Sequence, residues 1–207
     1  MKATNYPYDV GYKACPCFWG RNPGSYLQRL VSHLGSVRDL TVIDLGCGEG
    51  KNAAFLASLG ARVIALEISP YALKNARTAW NGSPNLLWIR SDVRELAVDP
   101  ESFDIVVLYG LLHCLNDREE VQDVVRRSQL ATKEGGFHVL CSFNDRQQDL
   151  TAHPDFKPVL MSHQSYLDFY REWFIIDESD SDLWEIHPHN NVYHRHSMTR
   201  IIARKMK

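Results

Sequence analysis

No stretch of this 207-residue sequence approaches the ~18 consecutive apolar residues that a membrane-spanning helix needs. Its first residues, MKATNYPYDVGYKACPC, lack a basic-then-apolar pattern, so no export leader is expected. Neither sign of charge dominates. There are 23 Lys and Arg against 25 Asp and Glu, a formal net charge of −2. An electrostatic grip on a phosphate backbone is therefore not expected, and the expected partners include neither nucleic acid nor a membrane. Cysteine is scarce and odd in number, with five at positions 15, 17, 47, 114 and 141. Reduced thiols in a cytoplasmic chain are the economical reading. Cys15-Pro16-Cys17 supplies only two ligands, which do not make a zinc site, and no metal is expected. No repeat or low-complexity segment appears either. What remains is one domain over residues 1–207, monomer or homodimer, acting on a small molecule.

What is present is a regular beat of short apolar runs and amphipathic segments. Residues 23–34 open with Pro-Gly and put Tyr26, Leu27, Leu30, Val31 and Leu34 at helical spacing. Leu40 to Leu45 is a β-branched run of the kind buried in a parallel sheet. A helix follows to Gly60, then a strand over Arg62 to Leu66. Ser69-Pro70 starts a further helix through Trp80. Strands are expected at 86–89, 103–109 and 137–143, with a helix over 117–130 between the last two. In the tail, 163–171 reads as a helix and 173–176 and 193–203 as strands, separated by an acidic run from Asp177 to Glu185. The expected fold class is α/β, a Rossmann-like seven-stranded mostly parallel sheet with an antiparallel edge strand and helices on both faces.

The informative feature is the turn after the first strand, Asp44-Leu45-Gly46-Cys47-Gly48-Glu49-Gly50. Ligands of open α/β sheets lie beyond the carboxyl ends of the strands, and glycines let the backbone approach them. A dinucleotide fingerprint would place its third glycine at position 51, where Lys51 stands instead. That disfavours a nicotinamide-dependent reductase. An acid two residues before the first glycine suits a ligand carrying an ammonium group. Glu67 ends the second strand, where a carboxylate accepts two ribose hydroxyls. Ser91-Asp92-Val93 ends the third, where an acid can receive an adenine amino group. Three acids in these positions describe a site for a nucleoside without phosphate.

These residues carry a resemblance. DLGCGEG with Glu67, Asp92 and FDIVVLYGLLHCL closely resembles class I S-adenosylmethionine (SAM) dependent methyltransferases over about residues 12–143. Phe18-Trp19-Gly20-Arg21-Asn22-Pro23 looks like the opening of a small-molecule subset, in which an aromatic pair covers the cofactor. The resemblance implies SAM as cofactor, with Asp44, Gly46, Cys47, Gly48, Glu67 and Ile68 around it. Asp92, Val93 and Tyr109 are expected beside them, with Tyr12 and Trp19 as the cover. It also implies a division into an N-terminal lid and helix (1–35), a cofactor-binding core (40–143) and a substrate-side region (144–207).

The acceptor is expected near the end of the fourth strand. Tyr109 and His113 would border the transferred methyl, with His187 on the opposite wall, and His113 or His187 would serve as base for an acceptor that must lose a proton. The tail histidines 153, 163, 187, 189, 194 and 196 are read mainly as surface or edge-strand residues, with a substrate-side role or a metal role, His194 and His196 sharing one face of a strand, as the alternatives. The tail also resembles that of tellurite-resistance (TehB-like) methyltransferases, except that Pro188 follows His187 where those proteins have arginine. Acceptors therefore range from an N, O or S atom of a metabolite to tellurite or selenite. A SAM-binding domain without catalysis stays open beside them.

Overall fold

A computed structural model describes residues 8–153, 155–186 and 191–207 of the chain. The chain enters through a short helix, α1 (Asp9–Ala14), and then α2 (Ser25–Leu34). The expected alternation follows: β1 (Thr41–Leu45), α3 (Lys51–Ser58), β2 (Arg62–Glu67), α4 (Pro70–Ala79) and β3 (Leu86–Arg90). Next come β4 (Phe103–Tyr109), α5 (Arg118–Ala131) and β5 (Thr132–Gln148). The chain finishes with α6 (His163–Asp168), β6 (Trp173–Ile186) and β7 (Tyr193–Lys205).

The strands form one seven-stranded sheet in the order β3-β2-β1-β4-β5-β7-β6. β1 to β5 run parallel, while β7 pairs antiparallel with β5 on one side and β6 on the other. The expected fold class holds, with the antiparallel edge built as a pair in which β6 is outermost. Composition explains the order. β7 offers Ile201, Ile202 and Ala203, all buried, whereas alternate residues of β6 face solvent. The more apolar strand takes the inner place.

Alternation along the central strands serves both faces. Ile43 and Leu45, Val106 and Leu108, Leu140 and Ile201 point to one side, against Val121, Val124 and Val125 of α5 and Tyr166 of α6. Val42, Ile105, Val107, Val139 and Ile202 point to the other, against Leu27 and Leu30 of α2 and Leu56 of α3. Burying each such leucine or valine contributes about 1.5–3 kcal/mol relative to exposure. Helix starts are capped as the sequence implies. Ser69 accepts from Ala72 N at 3.2 Å, and Asp117 accepts from Glu120 N at 2.9 Å.

Two local expectations need correction, and residues 9–14, inside the expected lid, are helical. The fifth strand begins at Thr132 and runs to Gln148, well beyond 137–143. The acidic run lies inside β6 rather than between strands. It can do so because Arg146, at the far end of β5, pairs with both Asp180 and Asp182, which share one parity of the strand. Among the described residues no helix is long and apolar enough to cross a membrane.

Candidate functional site

β1 ends at Leu45, and the chain turns through Gly46, Gly48 and Gly50, all at positive φ. At Gly46 a Cβ would sit 2.6 Å from the Leu111 side chain, and at Gly50 it would sit 2.1 Å from the Trp88 ring. Both conformation and space therefore demand glycine there. The turn is stitched to β2. Cys47 N donates to Leu66 O at 3.0 Å, and Gly48 N donates to Glu67 Oε2 at 2.9 Å. Glu67 Oε1 accepts from Ile68 N and Ser69 N, each at 2.8 Å. Three backbone N–H groups thus aim this carboxylate before any ligand arrives. Burial pushes its pKa up, and those same bonds oppose the shift.

Beyond the carboxyl ends of β1, β2 and β4 lies a cavity of about 960 Å³, at the top of the ~300–1,000 Å³ range of small-molecule sites. Of the residues expected around the cofactor, Tyr12, Trp19, Gly46, Cys47, Gly48, Glu67, Ile68, Asp92, Val93 and Tyr109 all line it. Asp44 does not. It lies behind the turn, 1% exposed, with Oδ2 lacking a hydrogen-bond partner. Burial, with the charge of Glu67 adding to it, pushes this carboxyl up to about 8. Asp92 is more engaged than the sequence suggested. It caps the 3-10 turn Val93–Glu95, accepting from Arg94 N at 2.9 Å, and its carboxylate is paired with the Arg94 guanidinium. That hydrogen bonding with Arg94 holds it below the usual carboxylate range.

The N-terminal segment is fastened over the turn. Glu49 Oε1 accepts from Cys17 N and from Asn75 Nδ2, both at 2.8 Å. Lys51 Nζ donates to Trp19 O, and Asn52 Oδ1 accepts from Gly24 N, again at 2.8 Å. Asp9 accepts from Ser69 Oγ, joining α1 to the start of α4. Tyr12 and Trp19 meet through Trp19 Nε1, which donates to Tyr12 OH at 3.2 Å. Sequence reasoning missed Glu49 and Asn52 as the fasteners, although both sit in or beside the glycine motif.

At the other end of the cavity stand Tyr109, His113 and Glu185. Tyr109 packs where Gly24 leaves room, since a Cβ on Gly24 would lie 2.3 Å from its ring, and burial raises its phenol. His113 is buried, and burial pushes its ring down to about 3. Its Nδ1 receives the backbone N–H of Phe143 at 3.2 Å. An amide N–H can only donate, so in the neutral ring the proton sits on Nε2. The expected base is thereby held as a hydrogen-bond donor.

The tail histidines depart from the surface reading. His194 and His196 are fully buried, and His163 bridges Thr199 and Glu178 from the first turn of α6. His187 and His189 lie outside the described residues.

Residues 43–140 match the model of a family described as Methyltransferase domain. The chain is 31% identical over 104 residues to demethylmenaquinone methyltransferase of Clavibacter sepedonicus, covering 50% of this chain and 41% of that protein. It is 33% identical over 120 residues to ubiquinone biosynthesis O-methyltransferase of Albidiferax ferrireducens, covering 55% and 45%. The chain thus spans less than half the length of these curated relatives. In fold it is similar to TehB from Haemophilus influenzae, at TM-score 0.71 and 16% identity, over 88% of this chain and 62% of that one. It is also similar to the 1,6-didemethyltoxoflavin-N1-methyltransferase of Burkholderia thailandensis, at TM-score 0.63 and 20% identity, over 87% and 76%.

Proposed function

We propose that this chain, which carries a methyltransferase domain over residues 43–140, transfers the methyl group of SAM to a small-molecule acceptor. One observation carries the reading: Glu67, aimed by three backbone N–H groups, shares a single cavity with the glycine turn and with Tyr109 and His113. The residues fit the cofactor. Glu67 offers a preset acceptor for ribose hydroxyls. The turn presents backbone rather than side chains, with Asp44 buried behind it and out of the cavity. The one cation of the motif, Lys51, donates to Trp19 O.

Bound there, SAM supplies a methyl group already activated on a sulfonium. The chain then has to align an acceptor and exclude water. Tyr12, Phe18 and Trp19 form an aromatic cover held down by Glu49, which suits the exclusion of water. His113 presents Nε2–H and Tyr109 a neutral phenol, so these two orient an acceptor rather than deprotonate it. An acceptor with a free lone pair fits this wall, whether an amine, a thioether, a selenide or a telluride. Residues 144–207 supply the substrate side, and the thiol state of all five cysteines suits a cytoplasmic site of action.

The test is calorimetric titration with SAM, S-adenosylhomocysteine and NADH, followed by a metabolite screen for transfer of a labelled methyl. Micromolar binding of the first two and methyl incorporation into a small acceptor are expected, micromolar being about −8 kcal/mol. Heat from NADH alone would overturn the reading.

A further inference from the structure

We propose that His153, Glu185, His194 and His196 bind a divalent transition-metal ion of the zinc type at the β6–β7 wall of the cavity. One ligand atom from each of these four lies within 4.8 Å of all the others. Strand register brings three of them together. Glu185 faces His194 directly across the β6–β7 ladder, and His196 is two residues further along the same face. His153 arrives from the turn after β5, which is pinned to β7 by Asp149 N donating to Arg195 O at 2.9 Å.

The ring nitrogens are oriented as a metal requires. His194 Nδ1 lies 2.8 Å from Val192 O, a carbonyl that can only accept, so Nδ1 carries a proton. His196 Nδ1 lies 2.8 Å from Gln148 Oε1. The Gln148 amide cannot be turned round, because its Nε2 already donates to Asn144 O at 2.7 Å and Ser197 O at 2.9 Å. His196 Nδ1 is therefore the donor as well. In the neutral rings both Nε2 atoms are left with lone pairs, and both point at Glu185 Oε1, at 3.6 Å and 3.5 Å. Two ring nitrogens and a carboxylate oxygen converging in this way form a donor set that a divalent cation can bridge.

His196 Nε2 is fully buried and makes no hydrogen bond. His138 shows the contrast: equally buried, it has both ring nitrogens partnered, by Thr132 Oγ1 and Tyr170 OH. The edge of a tetrahedron with metal–ligand bonds of ~2.0–2.1 Å is about 3.4 Å. The Glu185–His194 and Glu185–His196 separations already match it. Three imidazoles with one carboxylate suit zinc, and an acceptor–imidazole bond behind each of two ligands is the usual outer shell. Glu185 also lines the cavity, so the ion would place positive charge on its acceptor wall.

Untagged protein stripped with a chelator is titrated with Zn²⁺ by calorimetry and with Co²⁺ by visible absorption. One ion per chain is expected, with cobalt bands lacking any sulfur-to-metal transition. His196→Ala and Glu185→Ala should each weaken binding by at least about 100-fold, and Gln148→Leu by about 10–100-fold. His33→Ala, on an exposed face of α2, should leave it unchanged. Absence of saturable one-to-one binding in the unmutated chain overturns the proposal. So does binding that survives both ligand variants, or a thiolate band that assigns the ion to cysteine. Glu185→Ala keeps the test open should His196→Ala fail to fold. The readout is metal, so a negative result leaves the proposed methyl transfer untouched.

Discussion

Phe143 and His113 lie face to face, with ring centroids 4.0 Å apart and planes 8° apart, while the Phe143 N–H donates to His113 Nδ1. The hydrogen bond sets the tautomer and the stack holds the ring in place, so in the proposed role His113 would offer Nε2–H. Losing a neutral hydrogen bond costs about 0.5–1.5 kcal/mol, roughly 3- to 10-fold, whereas losing a base costs about 10²–10⁴-fold. His113→Phe should therefore lower turnover by about tenfold at most with unchanged SAM affinity, and His113→Asn should recover part of it. The pH profile should show no histidine titration from this ring near 6.5. A loss of several hundredfold together with such a titration would restore His113 as base.

Glu67 is expected to tolerate neither shortening nor neutralisation. Both its oxygens already accept from N–H groups, so Glu67→Gln turns an NH₂ against at least one backbone donor. Glu67→Gln and Glu67→Ala should each weaken SAM by about 1.5–3 kcal/mol, the worth of hydrogen bonds to a charged group. Calorimetry reads this directly. Unchanged affinity in either variant would place the ribose elsewhere.

Asp44 makes stability depend on pH in an unusual direction. Its carboxyl titrates near 3.8 when unfolded and near 8 when folded. Between those values the folded state holds a proton that the unfolded state lacks. Rising pH therefore erodes the contribution of Asp44, and above about 8 the loss is complete. Asp44→Asn does not titrate, so its stability relative to the parent should grow steadily from about pH 4 to about pH 8. Urea midpoints across that range check the slope. A constant offset would mean that Asp44 is ionised in the fold.

The cover over the cavity hangs on Glu49. Removing its carboxylate leaves Cys17 N without its acceptor and frees Asn75 from one of two bonds. Glu49→Ala should speed amide exchange over residues 15–24 by about tenfold or more, the equivalent of about 1.5 kcal/mol. Adding SAM to the parent should slow the same amides if the segment closes over ligand. Equal protection with and without SAM would make it a fixed part of the fold.

Much of the core was legible because its signals are local. The strands β1 to β4 are short β-branched or aliphatic runs, and Ser69-Pro70 and Asp117 mark helix starts by chemistry within four residues. The glycine turn with Glu67 and Asp92 was legible because parallel strands put their ends on one edge. The tail was not legible in the same way. Asp177 to Glu185 looks like a solvated acidic run until Arg146, more than thirty residues earlier, is laid beside it. His194 and His196 look like edge-strand residues until β7 is drawn between β5 and β6.

The sequence by itself determined the alternating β/α order, the two-faced burial of the central strands and the acids at the sheet's carboxyl edge. These depend on period and spacing, which are written along the chain. Only the tertiary structure decided what the side chains do once there. Folding left Asp44 Oδ2 without a partner behind the turn, fixed the proton of His113 on Nε2, and brought His153 to the Glu185–His194–His196 face. Hydrogen-bond partners and burial set protonation and orientation, and those partners come from strands and turns remote in sequence, so no local pattern encodes them.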